Sequence, residues 1–480
     1  MARNGHGDKG KAAPTNALGE LLIEAPMRKR KKKPAPSEIV AMEEETREAK
    51  AARSGLLVRK PNWRERHRDR TPMPTLHNAR EAILSLGIEC KHDVFHDKIL
   101  VLYRGRSHDI ERLVGEVNDA NLTALRQLLS SEHGFDPGDK SVSDAVLTLA
   151  YENRFDPMAD MLDEAEANWD GIERLDRVAA DHFNTEDTPL NAAFMRKTLI
   201  AAAARVRNPG CKFDTIAVLE GDEGLNKSTA WRILAGDENF SDEPIIGRDS
   251  REVQEQISGV WIHESADLAG MQKREVETVK TFASRQVDRA RPAYGRFLKQ
   301  QKRRCIMVGT TNSSEYLQSQ TGNRRFWPMK VLAAIDIEKL AEDRMQILGE
   351  AAHRQREGES LVLDQDLWAA AAIEQDQRRV KDPWEVTLAD LGTNHITDGE
   401  ERIATSSILE FLEIEAKQMT PALPMRLANV MRALGWMRHP NGYVTIKGQR
   451  VKGYFRWSTR QPPETPKTPA TGPIKGRGVQ

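Results

Sequence analysis

The stretch that decides the fold is EGDEGLNKSTAWRILAG, residues 220–236. Just before it, FDTIAVLE (213–220) is a run of apolar residues and β-formers. Just after the loop letters, TAWRILAG has helical spacing. Strand, glycine-bearing loop and helix start, in that order, form the context of a phosphate-binding loop of pattern G-x-x-x-x-G-K-[ST]. Successive backbone N–H groups in such a loop and at the helix N-terminus face a chain of phosphates. The loop comprises Gly221, Asp222, Glu223, Gly224, Leu225, Asn226, Lys227, Ser228 and Thr229. Gly221 opens the turn, and Gly224 lets the backbone come close. Lys227 is placed to reach the β- and γ-phosphates of ATP, and the Ser228 hydroxyl to ligate Mg²⁺. Asn226 stands where the pattern has glycine. Asparagine is among the side chains that best tolerate a left-handed backbone, so the donors and the lysine survive the exchange. A chance loop-to-helix junction can carry the same letters, so the decision passes to the neighbouring strands.

Two further apolar runs supply what such a loop needs. GVWIHE (259–264) ends in Glu264, with Asp267 three residues on, acids suited to positioning Mg²⁺ and an attacking water. RCIMVGTTN (304–312) ends in Asn312, a polar sensor at a strand end. Strands at this spacing, separated by helical segments, predict crossover units on a mainly parallel sheet. TGNRRFWP (321–328) then places Arg324 and Arg325 in a short loop before an aromatic. An arginine pair of that kind is commonly a surface ion pair, and in ring ATPases such a residue reaches a neighbour's site.

The order GDEGLNKST, WIHESADL, VKTFASRQVDRARPAYGR, VGTTN and GNRRFWP resembles the virulence-associated protein E family of phage- and plasmid-type proteins. It also resembles superfamily 3 replicative helicases more broadly, and the likeness spans about 153–331. The resemblance implies an α/β, AAA+-like P-loop ATPase core that assembles as a ring, commonly a hexamer. Carried over by position, Lys227 and Ser228 hold ATP and Mg²⁺, Glu264 is the acidic metal-side residue, and Asn312 is the sensor. Arg324 or Arg325 is the arginine finger. Two departures are visible. Asn226 replaces the loop glycine, and Ser265 follows Glu264 where many superfamily 3 helicases have a second acid, a duty Asp267 could share.

Composition frames this reading without specifying it. In 480 residues, Lys plus Arg equals Asp plus Glu at 72 each, so net charge names no partner. Only Cys90, Cys211 and Cys305 are present, with no C-x-x-C pair, which excludes a disulfide framework or zinc ribbon and predicts a reducing, cytoplasmic setting. The longest apolar run, 198–206, is too short to cross a bilayer, so no membrane partner is expected.

The predicted layout has six parts. Residues 1–75 form a basic, disordered region, with MRKRKKKP at 27–34 and a short helix at 41–52, and 76–190 form a mainly helical domain with helices at 108–131, 141–153 and 157–169. The ATPase core covers 191–335, a helical connector 336–380, a winged-helix-like unit 381–458 and a disordered tail 459–480. The leading 75 residues are too few for a primase domain, so any primase or initiator is expected as a separate partner.

DNA contacts are expected in two places. VDRARPAYGRFLKQQKRRC (287–305) is dense in positive charge around a turn, predicting a hairpin whose Arg289, Arg291 and Arg296 meet single-strand phosphates while Tyr294 stacks on a base. Lys280, just upstream, could face the strand or solvent, and Lys299, Lys302, Arg303 and Arg304 belong to the same basic run. In the C-terminal unit, helix, helix and β-wing patterns place Arg426 and Arg432 on a groove-facing helix and Lys447, Arg450 and Lys452 on the wing, for double-stranded DNA. The sequence therefore predicts an ATP-dependent helicase or translocase. The alternative is an ATP-gated DNA-binding initiator or regulator without unwinding activity.

Overall fold

The computed structural model describes residues 59–103, 107–291, 298–318, 322–393, 395–397 and 399–457. The basic run at 27–34, the helix expected at 41–52, Tyr294, Arg296 and the tail from 459 lie outside them. The chain divides into two compact units, one of residues up to 91 with 99–153, the other of 92–98 with 154 onward.

In the first unit, helix α1 (Leu76–Ser85) is capped by Thr75, whose side chain accepts from the Asn78 N–H. Strands β1 (Ile88–Asp93) and β2 (Lys98–Tyr103) follow. The single helix expected over 108–131 is instead α2 (His108–Glu111) and α3 (Asp119–His133), separated by the short strand β3 (Gly115–Glu116). The break has a local cause. Gly115 sits at φ +118°, where no helix can continue, and Asn118 starts a new helix through a reciprocal capping box with Asn121. With α4 (Asp139–Glu152), these helices bury Ala82, Ile83, Leu125, Leu129 and Val146. The unit thus carries a sheet, ordered β3-β2-β1, as well as the expected helices.

In the second unit, His92 and Asp93 pair in parallel with β4 (Arg154–Phe155). Helix α5 (Pro157–Ala167) starts at an Asp156 cap with proline in its first turn, the position where the missing N–H costs nothing. After α6 (Val178–Asp181) comes α7 (Pro189–Arg207), capped by Thr188 and buried around most of its circumference. Its LIAAAAR segment is small enough to pack close to the sheet. Residues 154–190, expected with the N-terminal domain, therefore belong to the unit that holds the sheet.

The core alternates as the strand spacing predicts. It runs β5 (Ile216–Glu220), α8 (Lys227–Ala235), β6 (Phe240–Ser241), α9 (Ser250–Gln256), β7 (Ile262–Ser265) and α10 (Lys273–Ala283). A two-stranded antiparallel hairpin, β8 (Val287–Ala290) with β9 (Lys299–Lys302), precedes β10 (Ile306–Thr311) and β11 (Phe326–Lys330). Five strands form one parallel sheet in the order β11-β5-β10-β7-β6. Strands β5, β7 and β10 are buried along their whole length, which is why β5 reads as a near-continuous apolar run and β10 opens on one, while β7 carries His263 and Glu264 into the interior. Alternation sends Ala217, Leu219, Val308 and Trp327 to the α7 face and Ile216, Val218, Met307 and Phe326 to the other. Pro328 is tolerated because β11 is an edge strand.

The helices α11 (Ile337–Arg356) and α12 (Trp368–Gln377) follow. A third cluster forms around α13 (Pro383–Ala389), β12 (His395–Thr397), β13 (Glu400–Ala404), α14 (Thr405–Phe411), α15 (Leu423–Ala433), β14 (Tyr443–Ile446) and β15 (Gln449–Trp457). Its sheet, β12-β13-β15-β14, has four strands where the sequence pattern shows two. Lys447 and Gly448 join β14 to β15 at φ +51° and +79°, a two-residue turn whose twist suits the hairpin. Among the described residues no helix is long and apolar enough to cross a membrane.

Candidate functional site

The loop Gly221–Asn226 leaves β5 at the C-terminal edge of the sheet and enters α8 at Lys227. Gly221 has φ +145°, and a Cβ there would lie 2.9 Å from both the Leu225 Cδ1 and the Val331 carbonyl oxygen. Glycine is thus required by both conformation and space. Asn226 adopts the left-handed region, φ 61° and ψ 22°. Its amide donates to the Ile335 carbonyl at 3.1 Å, and its own carbonyl accepts from the Ala230 N–H at 2.9 Å. The side chain that replaces glycine therefore ties the loop to the segment after β11.

Sheet order assembles the rest. Strand β10 lies between β5 and β7, so Asn312 follows the strand next to the loop and Glu264 sits one strand further out. Lys227 is only 7% exposed, and its Nζ donates to the carbonyls of Gly221 and Asp222, both at 2.7 Å, and to Asn312 Oδ1 at 2.9 Å. Burial pushes the Lys227 pKa below the usual lysine value, while the carboxylates of Asp222, Glu223 and Glu264 oppose that. Asn312 Nδ2 donates in turn to Glu223 at 3.3 Å. Ser228 Oγ donates to Glu264 Oε1 at 2.7 Å, and Thr310 donates to the same oxygen.

Glu264 is 1% exposed, and its Oε2 is buried with no partner among the described residues. A hard cation coordinated by that oxygen and Ser228 would satisfy it, since Mg²⁺ is usually held by one or two carboxylates plus substrate phosphates. No cluster of three or more His, Cys, Asp or Glu is present among the described residues, so a metal here would need oxygen ligands from elsewhere. Asp267 lines the same cleft, of about 390 Å³, in a left-handed conformation at φ 48°. Thr229 also lines it.

Thr310 does not stand out in the sequence. Its signal is parity, for it lies two residues before Asn312 and so on the same side of β10. Glu220 is a second residue that the loop pattern passes over. It is buried at the end of β5, where it accepts from the Tyr316 hydroxyl at 2.7 Å and from Arg378 Nε at 3.0 Å.

Arg324 and Arg325 are not near this cleft. They immediately precede β11, which pairs with β5 from Phe326 opposite Ile216 to Lys330 opposite Glu220, so they stand at the opposite edge of the sheet. Arg324 is exposed, and Arg325 Nε lies 3.4 Å from Asp214.

Several expected DNA contacts are occupied otherwise. Lys280 is 2% exposed, on the inner side of α10, with Nζ 3.0 Å from Glu277 and over the Phe326 ring, so it offers no surface charge. Arg303 forms a buried pair with Asp288 at 2.9 and 2.7 Å and stacks on Phe282. Arg304 bonds Asp156, and Lys299 bonds Asp97. Arg426 donates twice to Asp382, at 2.8 Å each, and lies over the Trp384 ring, so it braces the C-terminal unit while its side chain stays exposed. Arg289, Arg291 and Lys302 on the hairpin, and Arg432, Lys447, Arg450 and Lys452 in the C-terminal unit, are exposed.

This is a mixed α/β protein with a parallel sheet whose C-terminal edge carries a lysine–serine–carboxylate–asparagine cluster. Residues 162–380 match the family described as the Virulence-associated protein E-like domain. Among solved structures, the apo structure of the NrS-1 C terminal region (305–718) aligns at 11% identity and TM-score 0.44, covering 78% of this chain and 98% of that one. The A form apo structure of the same region aligns at 11% identity and TM-score 0.45, covering 80% and 99%. No curated protein matches the chain.

Proposed function

We propose that this protein is an ATP-dependent DNA translocase or helicase acting in phage, prophage or plasmid DNA replication, built on an AAA+-like P-loop core with a C-terminal winged helix. The observation that carries the reading is the convergence of Lys227, Ser228, Glu264 and Asn312 from three separate strand ends onto one loop. Bound MgATP supplies the phosphoanhydride bond. Loop N–H groups and Lys227 hold the phosphates, Ser228 and Glu264 hold the metal side, and Asn312 senses the terminal phosphate. Asp267 stands at the cleft to orient water.

The placement of the arginine pair supports a ring. From the first to the last residue of β11 the chain travels about 13 Å at the usual strand rise, so neither arginine serves its own cleft. Arg324, exposed and without the Asp214 neighbour of Arg325, is the residue offered to an adjacent subunit. The hairpin's Arg289 and Arg291 would meet single-strand phosphates, and the wing's Lys447, Arg450 and Lys452 a duplex.

ATP hydrolysis measured with and without single-stranded DNA, beside Lys227→Ala and Arg324→Ala, tests this. Expected is DNA-stimulated turnover abolished by both substitutions, with Arg324→Ala activity restored when it is mixed with Lys227→Ala subunits. Turnover insensitive to DNA and to Lys227→Ala would overturn the motor reading.

A further inference from the structure

The Lys227 ammonium has three donors, and all three are in use, on the carbonyls of Gly221 and Asp222 at 2.7 Å each and on Asn312 Oδ1 at 2.9 Å. A phosphate gripped by Lys227 must therefore displace at least one of these bonds. Whichever yields, the disturbed residue lies on one of two short segments. One is the start of the loop at Gly221, and the other begins at Asn312.

Both segments meet at Glu220, the last residue of β5, which directly precedes Gly221 and is buried. Its carboxylate accepts at 2.7 Å from the hydroxyl of Tyr316, four residues after Asn312. It also accepts from Arg378 Nε, at 3.0 and 3.1 Å to its two oxygens. Arg378 is the residue that ends α12. Its carbonyl accepts from the N–H groups of Tyr316 and Leu317 at 3.0 and 2.9 Å, and the Val380 N–H returns to the Leu317 carbonyl at 3.1 Å. Arg378 thus holds the segment after Asn312 by its backbone and the base of the loop by its side chain. Parting a buried carboxylate from its cation is strongly disfavoured, so Arg378 follows Glu220 when the loop shifts.

The residues that follow Arg378 hold the C-terminal unit. Arg379 donates to both oxygens of Glu385 in the first turn of α13, at 2.6 and 2.7 Å. Asp382 caps α13 and takes both bonds from Arg426 on α15. Only residues 379–382 lie between Arg378 and α13, and Arg379, Val380 and Asp382 are each bonded, so a displacement at Glu220 meets little slack before it reaches the C-terminal unit. A chain of bonded residues of this kind is what carries energetic coupling between two sites.

We propose that Glu220, Tyr316 and Arg378 form a positioning relay through which nucleotide in the cleft changes the grip of the C-terminal unit on duplex DNA; the inference rests on the nucleotide and duplex readings above. The test uses the full chain, a non-hydrolysable ATP analogue with Mg²⁺, and a labelled DNA duplex. Duplex affinity is measured by fluorescence anisotropy with and without the analogue, and analogue affinity by titration calorimetry with and without duplex. In wild type the analogue should change duplex affinity by about 5- to 150-fold, and duplex should change analogue affinity by the same factor, as linkage requires. Tyr316→Phe, which leaves the Glu220–Arg378 pair in place, should shrink that factor. Glu220→Gln/Arg378→Met, which removes both charges together, should bring it to about 1 while both ligands still bind. If the double variant does not fold, the single hydroxyl deletion decides. A wild-type factor of 1, or a wild-type factor retained in the variants, overturns the relay and leaves both binding readings standing. If wild type binds no analogue, or no duplex, the reading of that site fails and takes this inference with it.

Discussion

Asn226 is the residue at which the loop departs from its pattern, and its substitution gives a ladder that the structure ranks. At φ 61°, a left-handed backbone costs alanine about 1–2 kcal/mol. Alanine also removes the amide bond to the Ile335 carbonyl, worth about 0.5–1.5 kcal/mol. The sum for Asn226→Ala is about 1.5–3.5 kcal/mol of local stability. Asn226→Gly removes the same bond but enters the left-handed region freely, so its change should be that of the bond alone, about 0.5–1.5 kcal/mol. Because the effect is local, the assay is hydrogen exchange over residues 221–236, where the Ala230 amide donates to the Asn226 carbonyl. At about 1.4 kcal/mol per tenfold, alanine should raise exchange there roughly 10- to 300-fold, and glycine no more than about tenfold. Nucleotide affinity should follow the same order. Alanine as well protected as wild type, or glycine as labile as alanine, would refute the account of the loop.

Three other perturbations follow from the structure. Arg303→Met should lower stability by up to about 3–5 kcal/mol by leaving the buried Asp288 with only the Arg285 guanidinium, 3.9 Å away, and Arg303→Met/Asp288→Leu should recover much of it in a thermal melt. The His96 ring nitrogens lie 2.6 Å from Asp93 and 2.8 Å from Asn239, and its pKa is raised, chiefly by the bond to Asp93. Its contribution is therefore complete below about pH 6.5, the unfolded value, and is lost as pH rises through the higher folded value; His96→Gln should flatten the alkaline side of a stability-against-pH curve. Replacing Lys447, Arg450 and Lys452 with alanine should reduce the salt dependence of duplex binding by about 0.9 in log–log slope for each phosphate no longer neutralised. Arg426→Ala should instead lower the melting temperature of the C-terminal unit and leave that slope unchanged.

Two sequence expectations about elements show where local pattern suffices. The parallel strands were legible because burial on both faces writes continuous apolar runs, and the α11 span was legible from its helical spacing. The split of 108–131 was also written locally, in Gly115 and Asn118, but the helical texture on either side masked it. Strands β12 and β13 were not legible, since HIT and EERIA are short and polar, and become strands only by pairing with β15.

The sequence by itself determined the loop from Gly221 to Ser228, because its donors, glycines and lysine are contiguous and a backbone loop is made from neighbours in the chain. It also determined which strand ends carry Glu264 and Asn312. Tertiary structure alone decided that β10 inserts between β5 and β7, which brings Thr310 and Glu264 to Ser228 and Asn312 to Lys227. It alone decided which positive charges are met by carboxylates of the same chain. Arg303, Lys280 and Arg426 look like DNA contacts in a basic run or on a helix face, yet Asp288, Glu277 and Asp382 hold them. Whether a charge is already paired depends on the carboxylate the fold brings to it, and for Arg426 and Asp382 that meeting, on the surface, is made 44 residues apart in the chain.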